Sequence, residues 1–163
     1  NLGYKNASGE IIIRQSAEII HKNNKNIEIL VNELEEETFN IAKVDLVDQN
    51  GKFIHEYTGG KNGGCLMFFG SLFRKDLIAI GGDHEAFYEL GSEDVWFYKC
   101  LTLGRKLKMI HKDTVLGWHI EHPRPPNTNH PDMNKLVHEM LDKASKGEIS
   151  YYGSIKREEF QTL

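Results

Sequence analysis

Two alternating runs joined by Asn50-Gly51 constrain this chain more than any other feature. From Thr38 to Val47, Phe39, Ile41, Lys43, Asp45 and Val47 take one parity, and Ala42, Val44 and Leu46 take the other. That two-residue period is the period of a strand. Asn-Gly supplies the positive φ angles that a tight hairpin turn needs, and Phe53 to Tyr57 reads as the returning strand. An antiparallel pair is therefore expected near the middle of the chain.

More strands are expected on either side of it. Ile11-Ile12-Ile13 is β-branched and continuous, as in a strand covered on both faces. Cys65 to Phe69 reads as an apolar strand, and Lys106–Ile110 and Thr114–Ile120 as two short ones. Helical periodicity is equally clear elsewhere. Ile27, Leu30, Val31 and Leu34 recur at helical spacing after Asn26, a candidate cap. Arg74 to Ile80 reads as a short helix stopped by Gly81 in the left-handed cap position. Ser92 is placed to cap a helix running to Leu103, with Gly104 as its stop. Met133, Leu136, Val137, Met140 and Leu141 mark a last helix with Pro131 near its start. The tail from Ser145 to Leu163 has no clear pattern. Strands and helices mixed in this way mean an α/β or α+β fold.

Composition narrows the function classes. The 163 residues suit one domain or part of a larger one. The hydrophobic fraction is 39 % and the charged fraction 27 %, the balance of an ordinary globular chain. The net charge is −4 and no basic stripe occurs, so nucleic acid is not an expected partner. Cys65 and Cys100 are too few for a disulfide framework, which favours a cytoplasmic or cytoplasmic-facing setting. No apolar run approaches the ~20 residues of a membrane span, so any membrane association would come from parts outside this chain. The chain opens on Asn1 and reaches a strand within about ten residues, which suits a piece of a longer protein. The alternative is a small complete domain whose Met has been removed.

Three stretches then carry a resemblance. The first is Asn1-Leu2-Gly3, Ala7 and Gly9-Glu10 ahead of the Ile run. The second is Gly81-Gly82-Asp83-His84-Glu85-Ala86-Phe87 followed by Gly91-Ser92-Glu93-Asp94. The third is His119-Ile120-Glu121-His122-Pro123-Arg124. In that order they resemble the family 2 glycosyltransferases of GT-A fold. The match spans residues 1 to about 125 and corresponds to the acceptor-side portion of those enzymes; their nucleotide-binding half has no counterpart here. The resemblance implies an α/β fold, a mixed sheet flanked by helices, present as a partial domain. Residues 1–125 would be the catalytic core, and 126–163 a C-terminal helix and tail. The implied activity moves a sugar from a nucleotide-diphosphate donor, a UDP-sugar, to a glycan or other hydroxyl acceptor. The alternative is a glycosyltransferase-like binding module with impaired catalysis.

The resemblance also assigns roles. Asp94 matches the base of inverting members, and Glu93 would hold acceptor hydroxyls. In the first turn of a helix a carboxylate is also favoured by the dipole alone. Where the family has Asp-x-Asp, this chain reads Ser16-Ala17-Glu18. Glu18, with His119 and His122, is then the candidate set for a divalent metal (Mn²⁺ or Mg²⁺) that would neutralise the leaving diphosphate. Glu18 as a plain surface carboxylate, and the two histidines as structural ones, are the alternatives. The odd spacing of His119 and His122 puts them on opposite parities, so a strand end and the turn after it are expected. Asp83-His84 departs from the family's Phe-Asp at that point. Gly63 and Gly64 suit a close backbone approach to sugar or diphosphate, or simply a hairpin loop. Gly91 belongs to the Gly-x-Glu-Asp motif. Trp118 is placed to stack on a sugar or to pack in the core. Arg124 is a candidate phosphate ligand or a surface residue.

Overall fold

The structure, a computed structural model, describes residues 1–60, 66–87, 92–123 and 131–160. In chain order the elements are α1 (Leu2–Asn6), β1 (Ile11–Gln15), β2 (Ile19–His21), α2 (Asn26–Asn32), β3 (Thr38–Val47), β4 (Phe53–Thr58), β5 (Phe69–Phe73), α3 (Arg74–Ile80), α4 (Glu93–Lys99), a π-helical turn (Cys100–Gly104), β6 (Lys108–Ile120) and α5 (Pro131–Ser145). They fall into two compact units. A helical unit comprises Asn1–Glu10, Arg74–Lys106 and Arg124–Leu163, and a sheet unit comprises Ile11–Phe73 and Leu107–Pro123.

The sheet unit is a six-stranded mixed sheet in the order β1-β5-β3-β6-β2, with β4 also paired to β3. β3 is its axis. Its first half bonds β5 and its second half bonds β4, while β6 runs parallel along its other edge from Thr38↔Lys108 to Val47↔Ile120. Alternation predicts one buried face for β3, but eight of its ten residues are buried, with Lys43 and Leu46 the exceptions. Phe39, Ile41, Ala42 and Val44 are fully buried.

The order requires the sheet to curl. β1 and β2 stand four strand spacings apart, about 19 Å in a flat sheet. Ser16, Ala17 and Glu18 are all that joins them, and that link reaches only about 14 Å. The side chains show the closure. Gln15 Nε2 donates to Ile19 O at 3.4 Å, and Gln15 Oε1 lies 2.8 Å from His21 Nε2. The His21 ring packs 4.9 Å from Phe69 of β5, three strands away in the pairing order. Ile19, Leu30, Ala42, Val44, Phe68, Phe69 and Val115 form the core of this unit.

Several local expectations shift for physical reasons. The Ile11–Ile13 strand is not covered on both faces: it is bonded on one side, to β5, and Ile11 and Ile13 are only half-buried. The expected strand at Cys65–Phe69 lies later, at Phe69–Phe73. The two expected strands after Lys106 are one, β6, interrupted by a bulge: Lys112 pairs with Ala42 and Leu116 with Lys43. Asn26 does not cap α2; Lys25 occupies the cap position without a side-chain bond, and Asn26 is the first helical residue, fully buried. Its amide donates to Leu116 O at 2.8 Å and accepts from Leu116 N–H at 3.1 Å. That two-way bond fixes the rotation of α2. Leu30, one turn on, is buried, while Ile27 and Val31 are 43 % and 37 % exposed.

In the helical unit, α3 ends as its sequence indicates. Gly81 has φ +72°, and the Gly81 and Gly82 N–H groups both return to Leu77 O. α4 starts after Ser92, which has φ +68° and makes no side-chain cap; its Oγ donates to Asn134 Oδ1 at 2.6 Å. The helix reaches Lys99 and widens into the π turn up to Gly104. Trp96, Phe97, Leu77 and Ile80 fill the core of this unit, joined by Met133, Val137, Met140 and Ala144 from one face of α5. The tail is ordered against the Gly81-Gly82 turn. Ser154 N–H donates to Asp83 O and Ile155 N–H to Gly81 O, and Tyr151 stacks on Trp96 at 5.7 Å. Among the described residues no helix is long and apolar enough to cross a membrane.

Candidate functional site

The strand directions define one end of the sheet unit. β6 is parallel to β3, and β1 is antiparallel to β5, which is itself antiparallel to β3. β1, β3 and β6 therefore all run the same way. Their carboxyl ends carry Ser16–Glu18, the Asp48–Lys52 turn and Glu121–Pro123. Beyond the carboxyl ends of co-directional strands is where ligands collect in α/β sheets.

Each of these segments is held by its own chemistry. Asp48 Oδ1 accepts the N–H groups of Asn50 and Lys52, both at 2.8 Å, and Gly51 N–H returns to Asp48 O. Gly51, at φ +80°, makes that turn possible. Glu121 N–H donates to Val47 O at 2.7 Å and extends the β3–β6 ladder past the strand end. His119 is the last strand residue but one, opposite Ile19 and Leu46. Its imidazole stands edge-on to Tyr57 at 5.3 Å and stacks on His122 at 5.6 Å. His122 lies after the strand, and its Nδ1 is 3.2 Å from Pro123 O, so Nδ1 donates to that carbonyl. Glu18 is exposed in the turn directly before Ile19, the partner of His119. An open depression of about 420 Å³ at this end is lined by Asp48, Gln49, Asn50, Glu121, His122 and Pro123.

Among the described residues no group of three or more His, Cys, Asp or Glu side chains is gathered to hold a metal ion. Glu18, His119 and His122 share a sheet end without forming such a group.

Trp118 has the opposite parity to His119 and pairs with Asp45 and Ile20. Lys22 Nζ sits 3.6 Å from its ring centroid, so an ammonium occupies one stacking face. A Cβ on Gly51 would come within 3.0 Å of the ring. The neighbouring charges were not singled out from the sequence. Lys43 Nζ lies 3.3 Å from Glu56 Oε1 and 3.8 Å from Asp45 Oδ1. Asp45 is 9 % exposed, and burial pushes its carboxyl above the usual carboxylate range against the opposing pull of Lys43. The sequence signal was a Lys and an Asp inside an otherwise apolar alternation.

The helical unit carries Glu93 and Asp94, both half-buried in the first turn of α4. Its Gly81–Phe87 segment is organised by Asn1, which sequence reasoning valued only as part of a motif. Asn1 Nδ2 donates to Asp83 O at 2.9 Å and Glu85 Oε1 at 3.0 Å, and Asn1 Oδ1 accepts Asp83 N–H at 3.0 Å. His84 Nδ1 accepts Ala86 N–H, and its ring stands edge-on to Trp96. Burial lowers the His84 pKa, with Glu85 pulling the other way. Cys100 is buried, and burial with the nearby Asp83 charge pushes its thiol up to about 12. Gly63, Gly64, Gly91 and Arg124 lie outside the described residues.

No protein-family model matches the chain, and no curated protein sequence matches it.

Proposed function

We propose that this chain is the acceptor-side part of an inverting glycosyltransferase of GT-A type, acting on a UDP-sugar and a glycan hydroxyl. The observation that carries the reading is the meeting of the segment that stands where the family has Asp-x-Asp with the third family-like stretch. Ser16–Glu18 and His119–Pro123 are about a hundred residues apart in sequence, yet the Ile19↔His119 pair brings them to one sheet end. The Asn1–Asp83 hydrogen bonds support it further, because they join the start of the first stretch to the second.

In this reaction Asp94 takes the proton of the acceptor hydroxyl. The freed oxygen attacks the anomeric carbon, the bond to the diphosphate breaks, and UDP leaves with the electron pair. Glu93 orients the acceptor. A divalent ion, Mn²⁺ or Mg²⁺, would neutralise the diphosphate, with Glu18, His119 and His122 as the residues that would hold it. Such ions often take only one or two protein ligands and complete their shell with substrate phosphates and water. A binding module without catalysis is the second reading, favoured by the single carboxylate of Ser16-Ala17-Glu18.

The test is UDP release by the full-length protein carrying this sequence, supplied with a panel of UDP-sugars, acceptor oligosaccharides and Mn²⁺. Release that falls about 10²–10⁴-fold in Asp94→Asn supports the base assignment. Donor binding without release by the unaltered protein would favour the binding module.

A further inference from the structure

We infer that Tyr151–Ile155 is a strap that positions the acceptor-side groups of the helical unit, acting through Ser154 and Tyr151; the inference rests on the glycosyltransferase reading. The Gly82–Phe87 segment lies outside any helix or strand, so its backbone groups must find partners elsewhere. Two of its bonds are internal: Phe87 N–H donates to His84 O at 3.1 Å, and Ala86 N–H to His84 Nδ1 at 3.2 Å. The others come from far along the chain. The Asn1 amide holds Asp83 N–H and Asp83 O. Ser154 N–H donates to the same Asp83 O at 3.2 Å, while Ser154 Oγ accepts Glu85 N–H at 2.9 Å. Ser154 thus grips the segment with both main chain and side chain, 69 residues beyond Glu85. Ile155 N–H donates to Gly81 O at 2.8 Å and extends the grip to the end of α3.

The same strap holds α4. Trp96 stands two residues after Asp94 in that helix, and its side chain is buried. Its indole N–H donates to Tyr152 O at 3.1 Å, and its ring stacks on Tyr151 at 5.7 Å. His84, from the Gly82–Phe87 segment, stands edge-on to the same ring at 6.2 Å. Segment, strap and α4 therefore meet on one indole, one turn from Glu93 and Asp94. The strap is itself fixed: Tyr152 Oη donates to Ile155 O at 3.0 Å, and Ile155 is fully buried. The Tyr152 ring also lies where a Cβ on Gly81 would stand. The family-like stretches end near residue 125, so this strap is an addition to them. Groups fixed in this way before a ligand arrives lose little freedom when it binds.

Hydrogen exchange on the chain, read by nuclear magnetic resonance, tests the strap without any turnover. Ser154→Ala should quicken exchange of the Glu85 N–H about threefold to tenfold, the loss of one hydrogen bond, and Tyr151→Ala should do the same to the Trp96 indole N–H. Ser154→Thr and Tyr151→Phe should restore the original rates, because they keep the hydroxyl and the ring. Ser154→Ala removes only a half-buried hydroxyl, so it carries the test should Tyr151→Ala fail to fold. The second arm uses the full-length protein with the UDP-sugar and acceptor oligosaccharide that give UDP release. There each alanine variant should raise the acceptor KM about tenfold and leave the donor KM within about twofold. A strap that only stabilised the fold would lower the urea midpoint and scale kcat with the folded fraction, leaving the acceptor KM unmoved. Unchanged exchange at Glu85 and Trp96, exchange quickened evenly through the whole helical unit, or an unmoved acceptor KM would each overturn the inference. Local quickening with conservative rescue, but no UDP release by the unaltered protein, removes the transferase and keeps the strap.

Discussion

Gly153 lies against the carbonyl oxygens of Gly81 and Gly82 with no room for a Cβ. Gly153→Ala must therefore push backbone from backbone, and a loss of about 3 kcal/mol is expected in urea unfolding. Gly147 has φ +74° but open space around it, so Gly147→Ala should lose only about 1 kcal/mol, the cost of a left-handed alanine. His84 gives a pH signature. Its folded pKa is lowered by burial, so below about pH 6.5 the unfolded chain takes a proton that the native ring resists. The His84 contribution is intact above that pH and declines as pH falls towards the lowered value. Urea midpoints between pH 8 and pH 5 should drop less steeply in His84→Gln than in the unaltered chain. Cys100, with its thiol pushed up to about 12, should resist alkylation at pH 8 until the chain unfolds, as peptide mass mapping would register. At this scale the sequence identified the kinds of group that matter but not their partners. Asn26 reads as a cap because amides favour caps; its two bonds to Leu116, ninety residues away, are invisible to local pattern. Asn1 likewise owes its role to Asp83 and Glu85, which are remote from it in sequence.

Elements were legible where their signals are local. β3 and α3 have the bounds expected from alternation and from Gly81, and Asn50-Gly51 makes the β3–β4 turn. The turn depends on Asp48, whose Oδ1 serves two N–H groups. Asp48→Ala should cost about 1–3 kcal/mol in unfolding free energy. Amide exchange should quicken at Asn50 and Lys52 while Val44 to Val47 stay protected, because their ladder bonds to β6 do not pass through the turn. Faster exchange along the whole of β3 would contradict this. Elements that depend on distant pairing were misread. The β6 bulge looked like a gap between two strands, and the curl that brings β1 to β2 has no local signature at all. The tail lacked periodicity because its order comes from hydrogen bonds to the Gly81–Asp83 turn.

At the scale of the whole molecule, the mixed α/β class expected from the sequence is the class observed. The sheet unit holds Glu18, His119, His122 and the depression, and the helical unit holds Glu93 and Asp94. The central claim is that such a molecule transfers a sugar with inversion. The most direct measurement uses the full-length protein, UDP-sugars ¹³C-labelled at the anomeric carbon, and acceptor oligosaccharides, with product read by nuclear magnetic resonance. The proposal predicts a new glycosidic carbon whose configuration is opposite to that of the donor. A product of retained configuration, or no product from any donor, would contradict it.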